Sequence, residues 1–154
     1  MSDRISKHIS LKEGIKSHTA TRLNIDNVPR DLDLINMKTI AEKVFEPLRK
    51  FVDGPIAINS FYRSPKLNSA IGGSTSSQHC KGCAFDIDDK YGHKTNAEMF
   101  KYIKCNLDFD QMIWEFGDDI NPDWVHVSYI SEDVNRRRIL KAYKANGKTN
   151  YKII

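Results

Sequence analysis

Residues 76–88, SSQHCKGCAFDID, hold one histidine, two cysteines and two aspartates within thirteen positions, and such side chains can bind a metal ion. Cys80 and Cys83 form a C-x-x-C pair, which is half of a structural zinc site. The sequence offers no second C-x-x-C and no paired H-x(3–5)-H to complete it. We therefore predict that the cysteines are small, semi-buried residues rather than ligands.

The same stretch also suits a different metal site, built from His79 and Asp86. Asp86 lies in an apolar run, where a carboxylate is costly to bury unless it is paired or metal-bound. His126 has a comparable place in WVHVSYI, and neighbouring antiparallel strands could bring it to Asp86. The loop that turns at Gly82 could then supply His79. Two histidines and one aspartate leave a fourth zinc position open, which is the catalytic pattern.

The elements that must position these residues fit one domain. The chain has 154 residues, with neither a repeat nor a low-complexity linker, and we assign residues 1–154 to a single domain. We expect a helical N-terminal part at about 10–52, a catalytic core at about 55–130 and a basic C-terminal segment at 131–154.

Helix signals dominate the first part of the chain. Ser10 and Glu13 resemble a capping box, so we predict a short helix from there to about Arg22. After Pro29, apolar residues recur every three or four positions and predict a longer helix with one buried face. Pro47 should kink its last turn.

Strand signals dominate the second part. Four runs predict strands: IAI, CAFDID, QMIWEF and WVHVSYI. Two runs predict helices: PKLNSAIGG and TNAEMFKYIKCNL. The run RRRILKAYKA fits either a helix or a strand. Helices and strands do not alternate regularly, and the connections are short. The pattern predicts an α+β domain with a mainly antiparallel sheet.

Charge and composition restrict the function classes. The formal net charge is +4, and residues 131–154 hold seven lysines and arginines against two acidic residues. A basic end can attract a polyanion, but a solvated face is the preferred interpretation, and we expect no nucleic-acid partner. No run approaches the roughly 20 apolar residues of a membrane span, and the start of the chain lacks an apolar signal region. We expect synthesis in the cytoplasm without a signal peptide, and three cysteines suit a reducing compartment.

Three segments resemble one known family. Residues 77–86 resemble the S-x-H-x-x-G-x-A-x-D signature of the zinc D-Ala-D-Ala carboxypeptidase family, and residues 123–126 resemble its D/E-x-x-H motif. SFYRSPKLN, residues 60–68, resembles its S-G-Y-R-S-P-x-x-N segment, with Phe61 where the family often has glycine. The segments occur in the family's order.

The resemblance implies roles for individual residues. It assigns the zinc ion to His79, Asp86 and His126. Asp123 would be the general base for the attacking water, and Arg63 would stabilise the oxyanion. Ser77 and Tyr62 could contact the substrate, although core packing is an equal alternative for Tyr62. Glu115 is a second carboxylate that could reach the site.

The resemblance also implies a fold and a substrate. The family has a small antiparallel sheet flanked by helices, related to hedgehog domains. It includes D,D-carboxypeptidases, D-Ala-D-Ala dipeptidases and the L-alanyl-D-glutamate endopeptidases of phage lysins. We therefore expect a monomeric zinc metallopeptidase that cuts the peptidoglycan stem peptide, with no membrane partner. A phage-type endolysin would reach the cell wall after release by a holin, whereas a dipeptidase would remain cytoplasmic.

Two other function classes remain open at this point. The first is a non-catalytic module that binds the cell wall or belongs to a virion and keeps zinc for stability. The second is a basic nucleic-acid-binding domain with a zinc knuckle at His79, Cys80, Cys83 and Cys105.

Overall fold

The computed structural model describes residues 3–154 and confirms the predicted α+β class. Its helices are α1 (Leu11–Ile15), α2 (His18–Arg22), α3 (Asp31–Ile40), α4 (Glu46–Val52), α5 (Pro65–Ala70) and α6 (Asn96–Asn106). Its strands are β1 (Arg4–Ser6), β2 (Ile9–Ser10), β3 (Ala57–Ser60), β4 (Ala84–Asp88), β5 (Gln111–Glu115), β6 (Trp124–Ser128), β7 (Arg138–Ala145) and β8 (Lys148–Ile153). Each helix is too short or too polar to span a bilayer.

Six strands form the main sheet, in the order β3-β4-β6-β5-β7-β8, and β1 and β2 form a separate ribbon. All neighbours in the main sheet are antiparallel except β5 and β7, which are parallel. The parallel pairing follows from the path of the chain. β6 pairs with one side of β5, and the chain then crosses to the other side of β5, where β7 pairs with it. The run RRRILKAYKA, whose pattern fits either a helix or a strand, forms a strand in the structure. β8 extends the sheet beyond it.

One face of the sheet packs against helices and forms the core. Phe85 and Ile87 of β4 and Val125 and Val127 of β6 are fully buried on this helix face. Phe85 meets the ring of Phe45, between α3 and α4, edge-on at a centroid distance of 5.9 Å. The strict alternation of these apolar residues fixes which residues of β4 and β6 lie on the opposite face.

The predicted N-terminal helix is two helices. The capping box of Ser10 and Glu13 is present at the start of α1. The helix nevertheless stops at Lys16, because the Ser17 side chain caps a new helix by accepting from the amide of Ala20. The prediction of one continuous helix to about Arg22 was therefore wrong.

The second predicted helix is present as α3 and α4, joined by a π-helical turn at Ala41–Phe45. Pro47 lies in the first turn of α4, where its missing N–H is tolerated once the wider turn has shifted the hydrogen-bond register. The proline thus starts a helical segment rather than kinking a last turn. The predicted apolar stripe is buried or packs against the core: Leu34, Met37, Ile40, Ala41, Val44, Phe45, Leu48 and Phe51.

Candidate active site

Three side chains that can bind a metal ion converge near the centre of the sheet. His79, Asp86 and His126 each offer one ligand atom, and these atoms all lie within 4.8 Å of one another. In residues 3–154, no other group of three or more histidine, cysteine, aspartate or glutamate side chains is arranged in this way. The structure thus brings together the three residues that the sequence suggests as ligands.

Strand pairing accounts for two of these residues. Asp86 of β4 lies directly opposite His126 of β6 in an antiparallel register. Because side chains alternate along a strand, both lie on the face opposite the core, while Phe85 and Val125 pack inward. A slip of one residue would bury both polar side chains in the core, so the apolar pattern stabilises this pairing.

A short 3-10 turn, Gln78–Lys81, supplies His79. The Ser77 hydroxyl caps this turn and accepts from the amide of His79 at 3.3 Å. Gly82 ends the turn at φ +73°, and a Cβ at this position would collide with the backbone of Asp33. The loop therefore requires glycine both for its dihedral angle and for its close packing.

The hydrogen bonds of His79 prepare it for metal binding. Its Nδ1 donates to the carbonyl oxygen of Phe61 at 2.8 Å, so the neutral ring keeps a lone pair on Nε2. Nε2 lies 3.4 Å from Asp86 Oδ1, which lies 2.9 Å from His126 Nδ1. Ligands at about 2.0–2.1 Å from a tetrahedral zinc ion are about 3.3 Å apart. The donor set therefore fits zinc in chemistry, and the two separations that involve Asp86 are close to the expected spacing.

The charge on Asp86 also suits a cation. Burial acts to raise the pKa of Asp86, but His79 and His126 outweigh burial and hold this pKa well below the usual range of an aspartate. The carboxylate is therefore ionised at neutral pH, in the form that a metal ion binds.

An open cleft of about 830 Å³ surrounds the three residues. One wall is the loop of residues 72–78, and the other is the sheet face that carries Asp86 and His126, here called the cleft face. Arg136, Leu140, Thr149 and Tyr151 also line the cleft. No sequence pattern indicates that these four residues meet at the cleft, because their place depends on β7 and β8 joining the sheet.

Two of the predicted site residues line this cleft besides the ligands. Arg63 is half-buried, and its Nε is buried without a hydrogen-bond partner in residues 3–154. Its backbone N–H donates to the carbonyl of His79 at 3.2 Å, which connects it to the turn that carries this candidate ligand. Ser77 lines the opposite end of the same turn.

Two other predicted site residues lie outside the cleft wall. Tyr62 is 3% exposed and packs in the main core, which agrees with the structural alternative for this residue. Asp123 is exposed and immediately precedes β6. Its backbone N–H donates to the carbonyl of Glu115 at 2.9 Å, and its carbonyl accepts from Asn96. The role of Asp123 as a general base stays a prediction.

Glu115 is the carboxylate that lines the cleft next to the ligands. It lies at the end of β5 and is 8% exposed. Burial raises the pKa of Glu115 to about 7, and the nearby Asp86 carboxylate adds to this effect while His126 opposes it. The carboxyl group therefore lies close to its titration point at neutral pH.

An ion pair between the buried Asp110 and Arg136 stabilises the loop side of the cleft. Asp110 is fully buried and accepts from Nε and Nη2 of Arg136 at 3.1 and 2.7 Å. It also accepts from Gln78 Nε2 at 2.9 Å. The pair thereby connects the chain before β5 to the residue that precedes His79, which no sequence motif indicated.

The thiols do not assemble a metal site. Cys83 is buried, Cys80 half-buried and Cys105 exposed, and all three are free. Burial raises the pKa values of Cys80 and Cys83, which disfavours the thiolate form that binds metals. This arrangement gives no support to the zinc-knuckle alternative.

Comparison with known proteins identifies the family of the chain. A family model described as Peptidase M15 matches residues 7–128, which include all three proposed ligands. The curated proteins contain no sequence that matches this chain. The match ends at the last residue of β6, so β7 and β8 lie outside it.

Proposed function

The chain belongs to the M15 peptidase family and is a metallopeptidase, and on this basis we propose that it is a zinc-dependent hydrolase of the peptidoglycan stem peptide. The observation that carries the proposal is the convergence of His79, Asp86 and His126 at the floor of an open cleft. A family peptidase without such a donor set would lack the means to hold its metal ion.

The donor set supports zinc as the metal. His79, Asp86 and His126 would hold it, and three protein ligands leave one position free, as in catalytic zinc sites. When bound, zinc lowers the pKa of water and polarises carbonyl groups. The hydrogen bond from His79 to Phe61 would keep the ring oriented for this purpose.

The cleft residues support amide hydrolysis. The Arg63 guanidinium would stabilise the oxyanion that forms as water adds to the carbonyl, and one fixed donor at that place contributes about 3–4 kcal/mol. The buried, unpartnered Nε of Arg63 favours such a role, because a ligand atom would satisfy it. Ser77 on the same wall could bind the peptide backbone.

The substrate follows from the cleft's charge and openness. Arg63, which has no ion pair in residues 3–154, lines an open groove, and a stem peptide carries carboxylates along an extended backbone. Either a D,D-carboxypeptidase or an L-alanyl-D-glutamate endopeptidase is consistent with these features. The excess of basic residues in 131–154 favours an anionic cell wall as the target, which supports a phage-type lysin.

Digestion of purified peptidoglycan, followed by mass spectrometry of the soluble products, tests the proposal. We expect cleavage by the zinc-loaded protein and none by His126→Ala, with the exposed His93→Ala as the matched control that stays active. Released D-alanine would identify a carboxypeptidase, and a new N-terminal D-glutamate an endopeptidase. Absence of new termini with walls of several compositions would contradict the proposal.

A further inference from the structure

Glu115 occupies a defined position on the cleft face of the sheet. In the pairing of β5 with β6, Ile113 lies opposite His126 and Glu115 lies opposite Trp124. Glu115 is therefore the diagonal neighbour of His126 on the same face, and such neighbours are about 7–8 Å apart. A glutamate side chain and one water molecule together span that distance.

The side chain of Glu115 lines the cleft without a protein partner in residues 3–154. It is 8% exposed, and in residues 3–154 it has neither a hydrogen bond nor an ion pair. The other strongly buried carboxylates are neutralised, since Asp33 pairs with Arg30 and Asp110 with Arg136. A carboxylate that is largely removed from water and has no cationic partner is costly to keep ionised, and a role in the cleft would account for its presence.

Apolar residues flank Glu115 on one side. Ile113, Leu140 and Ala142 form a small apolar cluster against Phe116 on this side of the sheet. Ala142 lies beside Glu115 in the parallel pairing of β5 with β7. Leu140 and Ala142 of this wall come from β7, which lies beyond the part of the chain that matches the family model.

Asp123, the carboxylate expected from the motif, has a different setting. It is exposed, precedes β6 and does not line the cleft. Its amide is bonded to the carbonyl of Glu115, so the two carboxylates share one hairpin, but only that of Glu115 belongs to the cleft wall.

We propose that Glu115 is the catalytic carboxylate that transfers the proton during amide hydrolysis, an inference that rests on the proposed peptidase function. Glu115 accepts a proton from water as the water oxygen bonds to the carbonyl carbon, and the displaced electron pair moves to the carbonyl oxygen near Arg63. The C–N bond then breaks, and its electron pair leaves on nitrogen, which takes the proton from Glu115. Glu115 is ionised again, and the products are a carboxylic acid and an amine.

The zinc-loaded full chain with Glu115→Gln tests this proposal. Glutamine keeps the shape but cannot accept the proton, so we expect kcat to fall by about 10²–10⁴-fold. Zinc per chain, measured by mass spectrometry of the metal, should stay unchanged. Affinity for an intact synthetic stem peptide, measured by calorimetry, should stay within about threefold, as expected when only the transition state is affected. The exposed Glu132→Gln is the matched control and should retain activity.

The outcomes separate this inference from the proposed function. If the parent protein cleaves and Glu115→Gln cleaves equally well, or if Asp123→Asn causes the larger loss, the role of Glu115 is wrong and the peptidase remains. Loss of zinc in Glu115→Gln would also overturn it, because the residue would then support the metal site. Glu115→Asp, which keeps the carboxylate, should recover part of the lost rate, and no recovery would count against proton transfer. A parent protein that cleaves no stem peptide would instead refute the proposed function.

Discussion

Replacing Arg136 by methionine should destabilise the fold through Asp110. Asp110 is fully buried, and the substitution removes its two bonds from the guanidinium, at 3.1 and 2.7 Å. Methionine retains much of the apolar stem. The carboxylate keeps two other donors, the backbone N–H of residue 136 at 3.0 Å and Gln78 Nε2 at 2.9 Å.

The size of the effect follows from these contacts. A hydrogen bond to a charged group contributes about 1.5–3 kcal/mol, and breaking a buried ion pair costs about 3–5 kcal/mol. The Arg136 side chain is 51% exposed, so solvent weakens its share of the interaction. We therefore expect Arg136→Met to lower the free energy of unfolding by about 2 kcal/mol at pH 7, measured by urea denaturation.

A double-mutant cycle with Asp110→Asn isolates the pair and its dependence on pH. Burial acts to raise the pKa of Asp110, but the bonds from Arg136 and Gln78 hold it below the usual range. A lowered folded pKa means that the stabilisation is present above the ordinary aspartate pKa of about 3.9 and is lost as the pH falls through the folded value. The coupling energy should therefore stay constant from about pH 7 to 5 and shrink below about pH 4.

Arg138→Met is the control for this experiment, because Arg138 is exposed and close in sequence. It should change the free energy of unfolding by less than about 0.5 kcal/mol. A coupling energy under about 0.5 kcal/mol at pH 7, or one that does not change between about pH 7 and 3, would refute the reasoning.

Other substitutions test the core, the loop and the thiols. Phe85→Ala should lower the free energy of unfolding by about 3–5 kcal/mol in denaturant titrations, because a fully buried ring is lost; a change under about 1 kcal/mol would contradict this. Gly82→Ala should destabilise the protein more than Gly147→Ala, which has a similar φ but open space around it; equal unfolding midpoints would exclude the collision. Serine at all three cysteine positions should leave zinc content unchanged, and release of zinc would favour the knuckle at Cys80, Cys83 and Cys105.

The convergence of His79, Asp86 and His126 could be predicted because it depends on local patterns. The alternation of β4 and β6 fixes the faces of Asp86 and His126, and Gly82 marks the turn that presents His79. The antiparallel pairing of two central strands is the only long-range assumption required. The same reasoning applies to the apolar stripe of α3 and α4, which follows from helical periodicity alone.

The remaining features depend on contacts between distant parts of the chain. The place of β7 beside β5, and thus of Leu140 and Arg136 in the cleft, follows from a crossover that periodicity does not encode. The setting of Asp123 depends on the turn after β5, where Phe116 and Gly117 both have positive φ. The break at Ser17 depends on a cap that competes with a continuous helix.

X-ray absorption at the zinc edge of the zinc-loaded protein tests the central claim most directly, since it reports which atoms surround the ion. Coordination by His79, Asp86 and His126 predicts nitrogen and oxygen neighbours at about 2.0–2.1 Å and no sulfur. The signal should disappear in an Asp86→Ala protein dialysed in the same way. A shell at about 2.3 Å would reveal sulfur ligands and contradict the account.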